Sequence, residues 1–230
     1  MLKSPFTARK KKDFKILIFY PNLHMSALMP QSVGIFTALL KREGYTLDLF
    51  DCTYYLDADI EEQGIGKNTN AEKVINRNVR KFDDKIWQGK GIAPKIGIEK
   101  DFKNKISTFQ PDLILVSVLE STYFLAINLL NSIPEKDRKF KTLFGGVFAT
   151  YASDKVIKND LVDYVCRGEG EGAVVEMANA LSSGERIDQI KNFTVKGEGN
   201  IYKNGMRAPI DLDTVPIPDW DLFAKGRLYR

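Results

Sequence analysis

Short apolar runs alternate with segments of helical periodicity along most of this sequence, and this alternation constrains the fold more than any other feature. Lys15–Tyr20 and Leu113–Val118 are almost continuously apolar, which is typical of strands that are covered on both faces of a parallel sheet. Further strands are predicted at 46–51, 141–144 and 164–167, and helices near 33–44, 98–109, 121–130, 151–158 and 173–181. The order predicts an α/β fold, a doubly wound, flavodoxin-like parallel five-stranded sheet with strand order 2-1-3-4-5.

Two stretches depart from this alternation. Residues of about 53–95 show no clean repeat of strand and helix, so we expect residues 14–186 to form one Rossmann-like domain that contains an insertion. After Arg186, two short apolar runs flank the turn residues Gly197–Asn200, which predicts a hairpin. A proline-bearing stretch at 211–223 is typical of an extended linker, so residues 187–230 are interpreted as a hairpin followed by a linker.

Composition excludes several classes of protein. Of 230 residues, 43% are hydrophobic and 28% charged, a balance typical of globular domains, and no apolar run is long enough to cross a membrane. The net charge of +4 is concentrated in residues 1–12 and 67–105, so nucleic acid is not expected as a partner. The second basic segment is either a solvated face or a contact for an anionic group. Cys52 and Cys166 are too few for a disulfide framework and too far apart for a metal cluster, so we interpret them as reduced packing residues of a cytoplasmic protein.

The carboxyl ends of the predicted strands carry small residues where a ligand of such a sheet would bind. Glycine lets a backbone approach a ligand closely and present its N–H groups. The glycine pair after the fourth strand either ends the strand or clears a channel for a bulky ligand. The two glutamates after the fifth strand either favour a helix start or belong to a site. Neither the dinucleotide fingerprint nor the glycine-rich phosphate loop is present. The residues concerned are Ser117, Gly145, Gly146, Gly168, Glu169, Gly170 and Glu171.

Two of these motifs together resemble a known family. Phe144–Thr150, with the sequence FGGVFAT, and Val162–Glu171, with the sequence VDYVCRGEGE, are similar to the N-terminal cobalamin-binding domain of cobalamin-dependent radical S-adenosylmethionine enzymes. Asp211–Phe223 resembles the linker that leads into the catalytic barrel of that family. The resemblance extends over about residues 14–223 and is weakest over 53–95.

This resemblance implies a corrinoid whose nucleotide tail enters the carboxyl edge of the sheet. The cofactor-binding residues that it implies are Ser117, Gly145, Gly146, Gly168, Glu169 and Gly170. In the wider corrinoid-binding fold, a histidine in an Asp-x-His-x-x-Gly motif binds cobalt. Here Asn22 and Ala27 replace the aspartate and the glycine of that motif, so no metal ligand is assigned. His24 is kept as the one candidate cobalt ligand.

The family's reaction also needs three cysteines that hold an iron–sulfur cluster, and this sequence has two cysteines in all. No catalytic residue is therefore assigned, and S-adenosylmethionine and the cluster are expected only in an absent C-terminal part. We expect a cobalamin-binding module of a radical S-adenosylmethionine enzyme, a methyltransferase, whose partners are the corrinoid and a catalytic barrel in the same polypeptide. The alternatives are a free-standing corrinoid carrier and a flavodoxin-like interaction domain without a cofactor.

Overall fold

A seven-stranded sheet organises the molecule, and helices lie on both of its faces. The computed structural model describes residues 1–23, 29–58, 95–197 and 199–224. The elements, in chain order, are β1 Lys15–Tyr20, α1 Gln31–Arg42, β2 Thr46–Asp51, α2 Ile98–Phe109, β3 Leu113–Ser117, α3 Glu120–Asn131, β4 Lys141–Gly145, α4 Val147–Tyr151, α5 Ser153–Val156, β5 Tyr164–Cys166, α6 Glu171–Ser183, β6 Phe193–Gly197 and β7 Asn200–Lys203.

The strand order is β2-β1-β3-β4-β5-β6-β7, which confirms the predicted order of the first five strands. Those five are parallel, and the order reverses between β1 and β3. The predicted hairpin forms, but it extends the same sheet because β6 pairs antiparallel with β5. Phe193 and Val195 of β6 are fully buried, so the hairpin both covers the β5 edge and adds to the core.

The alternating side chains of the inner strands bury two separate cores, as expected for a doubly wound sheet. Ile16 and Ile18 pack on one face with residues of α1 and α6. Leu17 and Phe19 pack on the other face with residues of α2, α3, α4 and α5. Both faces of β1 are therefore covered, which explains its continuous apolar sequence.

Several helices start earlier than the sequence predicted, and two of these starts lie next to the glycine-bearing motifs. The helix expected from 151 is split into α4 and α5, and α4 already begins at Val147, directly after Gly146. α6 begins at Glu171 rather than at 173. His24 and nearly all of the predicted insertion lie outside the described residues.

Two aspartates close the amino edge of the sheet, where the parallel strands begin. Asp112 precedes β3, and its Oδ2 accepts a hydrogen bond of 2.8 Å from the backbone N–H of Lys15 at the start of β1. Asp163 precedes β5, and its Oδ2 accepts one of 2.8 Å from the backbone N–H of Thr142 in β4. Each carboxylate also binds a cation, Arg9 and Lys141 respectively. The backbone N–H groups of Lys15 and Thr142, near the starts of their strands, are therefore both hydrogen-bonded.

The chain after β7 returns across the molecule as a C-terminal strap, residues 206–224. The backbone N–H of Asp219 donates to the carbonyl oxygen of Gly34 in α1, at 3.0 Å. The Asp219 carboxylate binds Lys41 of the same helix at 2.7 Å. Phe223 is only 4% exposed, so the predicted linker is in part a packed segment.

Candidate functional site

The carboxyl ends of β3 and β4 lie side by side, as the sequence predicted. Ser117 and Gly145 are register partners, and the backbone N–H of Val118 donates to the carbonyl oxygen of Gly145 at 2.9 Å. The N–H of Phe148 in α4 donates to the carbonyl oxygen of Val118 at 3.3 Å. These bonds hold the β3–α3 and β4–α4 connections against each other.

The two glycines of the pair differ in what surrounds them. Gly146 has φ +92°, and a Cβ atom there would lie 2.7 Å from the carbonyl oxygen of Val118. A side chain at Gly146 is therefore excluded by the fold itself, with or without a ligand. At Gly145, the nearest atom to an added Cβ is the Cβ of Cys166 at 4.0 Å. Gly145 therefore has the free space that a ligand-lining position needs.

The connection between β5 and α6 forms the other part of the edge. The backbone N–H of Gly168 donates to the Oγ1 of Thr150 in α4, at 3.0 Å, and so links this connection to the β4–α4 connection. The Oε2 of Glu169 accepts a hydrogen bond of 2.7 Å from the backbone N–H of Ile210 in the strap. Gly170 is buried under Phe36 of α1, whose Cζ would be 2.8 Å from an added Cβ.

The structure thus brings the six predicted residues to one edge in two groups. Ser117, Gly145 and Gly146 form the first group, and the residues 168–170 form the second. Thr150 joins the groups, although sequence reasoning did not single it out. Contact of these six residues with a corrinoid stays a prediction.

Exposed apolar side chains flank the same edge. Leu119, directly after β3, is 52% exposed, and Val147, the first residue of α4, is 60% exposed. Tyr151 at the end of α4 is 89% exposed. Sequence analysis did not identify these three residues, because each lies in an apolar stretch of the kind that predicts buried residues. The available signal was their position just beyond a strand end, where a helix begins or ends.

The titratable groups near this edge are not arranged for metal binding in the part of the chain that the structure describes. No group of three or more His, Cys, Asp or Glu residues is placed to hold a metal ion among these residues. Burial, more than the nearby Glu171 carboxylate, raises the pKa of the Cys166 thiol to about 12, so the thiol stays protonated at neutral pH. Cys52 is buried as well, and neither cysteine forms a disulfide, as expected for packing residues.

A cavity of about 290 Å³ lies beside the second group, between α6 and the C-terminal strap. Its lining residues are Glu169, Glu171, Gly172, Asn192, Arg207, Ala208 and Ile210. A larger cavity of about 610 Å³ lies along β2 and is lined by none of the six predicted residues. Of these two cavities, the smaller one adjoins the predicted site.

Residues 88–178 match the model of the B12 binding domain family. An uncharacterized methyltransferase of Pyrococcus horikoshii is 27% identical over 125 residues, which is 54% of this chain and 27% of that protein. The anaerobic magnesium-protoporphyrin IX monomethyl ester cyclase of Rubrivivax gelatinosus is 27% identical over 133 residues, 54% of this chain and 23% of that protein.

A solved structure has the same fold. It is the radical S-adenosylmethionine methyltransferase TsrM from Kitasatospora setae with cobalamin and a 4Fe-4S cluster bound. The likeness has a TM-score of 0.56 at 16% identity and covers 81% of this chain and 30% of that chain.

These findings confirm the resemblance and the fold class that the sequence predicted. The matched residues 88–178 contain β3, β4 and β5 with both glycine-bearing motifs, so the match falls on the edge described above. The chain spans about a quarter of the length of the curated relatives. Among the described residues, none of the helices has the length and apolar character needed to cross a membrane.

Proposed function

We propose that this chain, which carries a B12 binding domain over residues 88–178, is the cobalamin-binding module of a radical S-adenosylmethionine enzyme. The observation that carries the proposal is the carboxyl edge of β3, β4 and β5. It lies within the matched residues and combines glycine backbone with exposed apolar side chains. A corrinoid is wide and amphipathic, and such a ligand needs an apolar surface together with backbone donors for its polar groups.

The residues present fit such a cofactor. The open space at Gly145 and the exposed backbone of Gly168 suit the polar nucleotide tail, and Ser117 adds a hydroxyl beside them. Leu119, Val147 and Tyr151 would then lie under the apolar surface of the ring. The chain's own role is to bind the corrinoid, orient it and exclude water from it. When bound, cobalamin supplies a cobalt that carries a methyl group or assists a radical step.

The complete protein is proposed to combine this module with a radical S-adenosylmethionine barrel that holds the iron–sulfur cluster and the substrate. The coverage supports this, because the relatives are about four times as long as the matched part of this chain. One relative is named a methyltransferase and the other a cyclase, and methyl transfer is the reaction we favour. Two buried cysteines without a disulfide support a cytoplasmic location.

The direct test is retention of cobalamin. The 230-residue protein is mixed with excess hydroxocobalamin and desalted, and the absorbance spectrum of the protein fraction is recorded. We expect about one corrinoid per chain, by the argument that a preformed cleft binds one ligand. A colourless protein fraction whose circular dichroism shows an intact fold would overturn the proposal.

A variant on the exposed apolar surface makes the test specific to this edge. Val147→Asp places a charge where the ring is expected, at a position that contributes little to the core. We expect the affinity for hydroxocobalamin to fall about tenfold or more. The bound ring would lose an apolar contact, and it would also strip water from the introduced carboxylate. Ile201→Asp is the matched control, since Ile201 in β7 is 49% exposed and lies away from this edge. Equal affinities of the two variants would contradict the proposed binding surface.

A further inference from the structure

The first residue of the strap, Met206, lies on an exposed glycine of the predicted site. A Cβ atom added to Gly168 would be 2.8 Å from the Cε of Met206, so the thioether end of Met206 lies against the Gly168 backbone. Gly168 is exposed, and Met206 itself is 50% exposed. A large apolar side chain is therefore presented to solvent directly beside the β5–α6 connection.

The backbone on both sides of Met206 is hydrogen-bonded to one buried residue, Asn192. The backbone N–H of Asn192 donates to the carbonyl oxygen of Gly205 at 2.9 Å, and its Oδ1 accepts from the backbone N–H of Arg207 at 2.6 Å. Its Nδ2 donates to the carbonyl oxygen of Glu169 at 2.7 Å, so the same side chain also binds the β5–α6 connection. These three bonds fix the start of the strap against that connection.

Asn192 has an unfavourable backbone conformation, with φ +72° at a position that is only 2% exposed. Such a conformation persists where the surroundings determine it strongly, and here the three hydrogen bonds do so. The backbone of Met206 is thus held in one place, whereas its unbranched side chain can adapt to what it touches.

Gly168 contacts two elements that each carry a large exposed side chain. Its N–H donates to Thr150 of α4, and the next residue of α4, Tyr151, is 89% exposed. Met206 makes the contact from the strap. Exposed apolar surface on both elements beside one glycine is useful when a ligand covers it. Methionine suits such a place, since its sulfur also makes favourable contacts with aromatic rings.

We propose that Met206 is a further cofactor-binding residue, contributed by the strap, and that its thioether packs on the nucleotide tail of the corrinoid beside Gly168. The tail ends in an aromatic base, with which the sulfur can make a favourable contact. Met206 lies outside residues 88–178, which match the B12 binding domain. The strap is then part of the cofactor site. This inference rests on the proposed function, because it adds one contact to the same ligand.

The first test measures dissociation constants of hydroxocobalamin by equilibrium dialysis. We expect Met206→Ala to bind about tenfold more weakly than the unmodified protein, because the apolar contact is lost. Met206→Leu keeps most of the apolar volume and should stay within about threefold. Ile201→Ala is the matched control and should bind as the unmodified protein does, since Ile201 is 49% exposed and pairs with Lys196, away from this edge. Thermal unfolding of each variant shows that the fold is retained.

Cobinamide separates the two parts of the ligand, because it has the corrin ring and lacks the nucleotide tail. Met206→Ala should leave the affinity for cobinamide unchanged, since the group that Met206 contacts is absent from that ligand. Equal losses of affinity for hydroxocobalamin and cobinamide would show that Met206 contacts the ring, and the assignment to the tail would be wrong.

The second test detects the contact in the unmodified protein. tert-Butyl hydroperoxide oxidises exposed methionines to sulfoxides, and mass spectrometry follows each methionine separately. Bound hydroxocobalamin should slow the oxidation of Met206 about fivefold or more, since oxidation depends on exposure. Met1 is 76% exposed and serves as the internal control, because its rate should be the same with and without the corrinoid.

The outcomes are distinct from those for the proposed function. If the unmodified protein retains no corrinoid at all, both proposals fail. If it retains hydroxocobalamin but Met206 is oxidised at an unchanged rate, only the present inference is overturned. The same holds if Met206→Ala binds hydroxocobalamin as tightly as the unmodified protein does.

Discussion

The two edges of this sheet are built from opposite kinds of residue. At the amino edge, Asp112 and Asp163 each accept a backbone N–H from the first or second residue of a neighbouring strand and pair with a cation. At the carboxyl edge, the equivalent places carry glycines, and apolar side chains such as Val147 are exposed. The two aspartates of the amino edge bond to backbone N–H groups of neighbouring strands, whereas the carboxyl edge exposes glycine and apolar surface.

Under the proposed function, this difference separates stability from binding within one sheet. A carboxylate that accepts a buried N–H contributes to stability because the donor would otherwise lack a partner. Exposed apolar surface contributes nothing to the isolated fold and is useful only when something covers it. Gly146 is the exception, since it lies at the carboxyl edge and yet is required by the fold.

Gly146→Ala is expected to have the largest effect on stability. The added Cβ would meet the carbonyl oxygen of Val118, and the positive φ is unfavourable for alanine. We expect a loss of about 3 kcal/mol or more, from strain and overpacking together, seen as a fall of the melting temperature by about 6–12 °C. Gly145→Ala is the control, and it should keep the fold within about 1 kcal/mol while it weakens cobalamin binding. If Gly145→Ala is the more destabilising of the two, the stated difference between these glycines is wrong.

Asp163→Ala should have an intermediate effect that is confined to stability. It leaves the buried N–H of Thr142 without its acceptor, which costs about 2 kcal/mol and lowers the melting temperature by about 4–8 °C. Cobalamin affinity should stay unchanged in the folded variant, because the amino edge is remote from the proposed site. Asp160→Ala, at a nearby exposed position, should change neither quantity. A loss of cobalamin binding in folded Asp163→Ala would break the proposed separation of the two edges.

Asp188→Asn lies at neither of these edges and should have the smallest effect on the free energy of unfolding. This effect should depend on pH. The Asp188 carboxylate accepts two hydrogen bonds from Arg186, at 2.7 and 3.0 Å, and these lower the pKa of Asp188 to about 2. A pKa below the ordinary value means that the ionised carboxylate stabilises the fold above about pH 4 and that this contribution is lost as the pH falls towards 2. In urea unfolding, the difference between the original protein and Asp188→Asn should be about half as large at pH 3 as at pH 6. A difference that is independent of pH would show that the carboxylate does not act through its charge.

Much of the fold was predictable because the signals were local. The bounds of β1, β2 and α2 agree with the sequence prediction, since continuous apolar runs and helical spacing depend only on neighbouring residues. The order of the five parallel strands also follows, because short right-handed connections allow few arrangements. The start of α4 was missed, because the turn at Gly146 depends on the β3–α3 connection beside it.

The candidate site was predictable only in part. The switch-point rule placed its residues together at the carboxyl edge of the sheet, where the structure has them, since that rule depends on strand order alone. It could not show that Gly146 packs against Val118 or that Glu169 binds the strap, because these contacts join residues far apart in the chain. The exposure of Leu119 and Val147 could not be predicted either, because an apolar residue occurs both in cores and on surfaces.

The sequence by itself determined the class of sheet, the order of its parallel strands and the positions of small residues at their ends. Periodicity and glycine placement carry that information along the chain. Only the tertiary structure decided that the hairpin joins the sheet, that the strap closes a cavity over α6, and that Gly146 is closely packed whereas Gly145 has open space. The physical reason is that the contacts and the solvent exposure of a residue depend on its neighbours in space. Those neighbours come from segments that are far apart in the sequence.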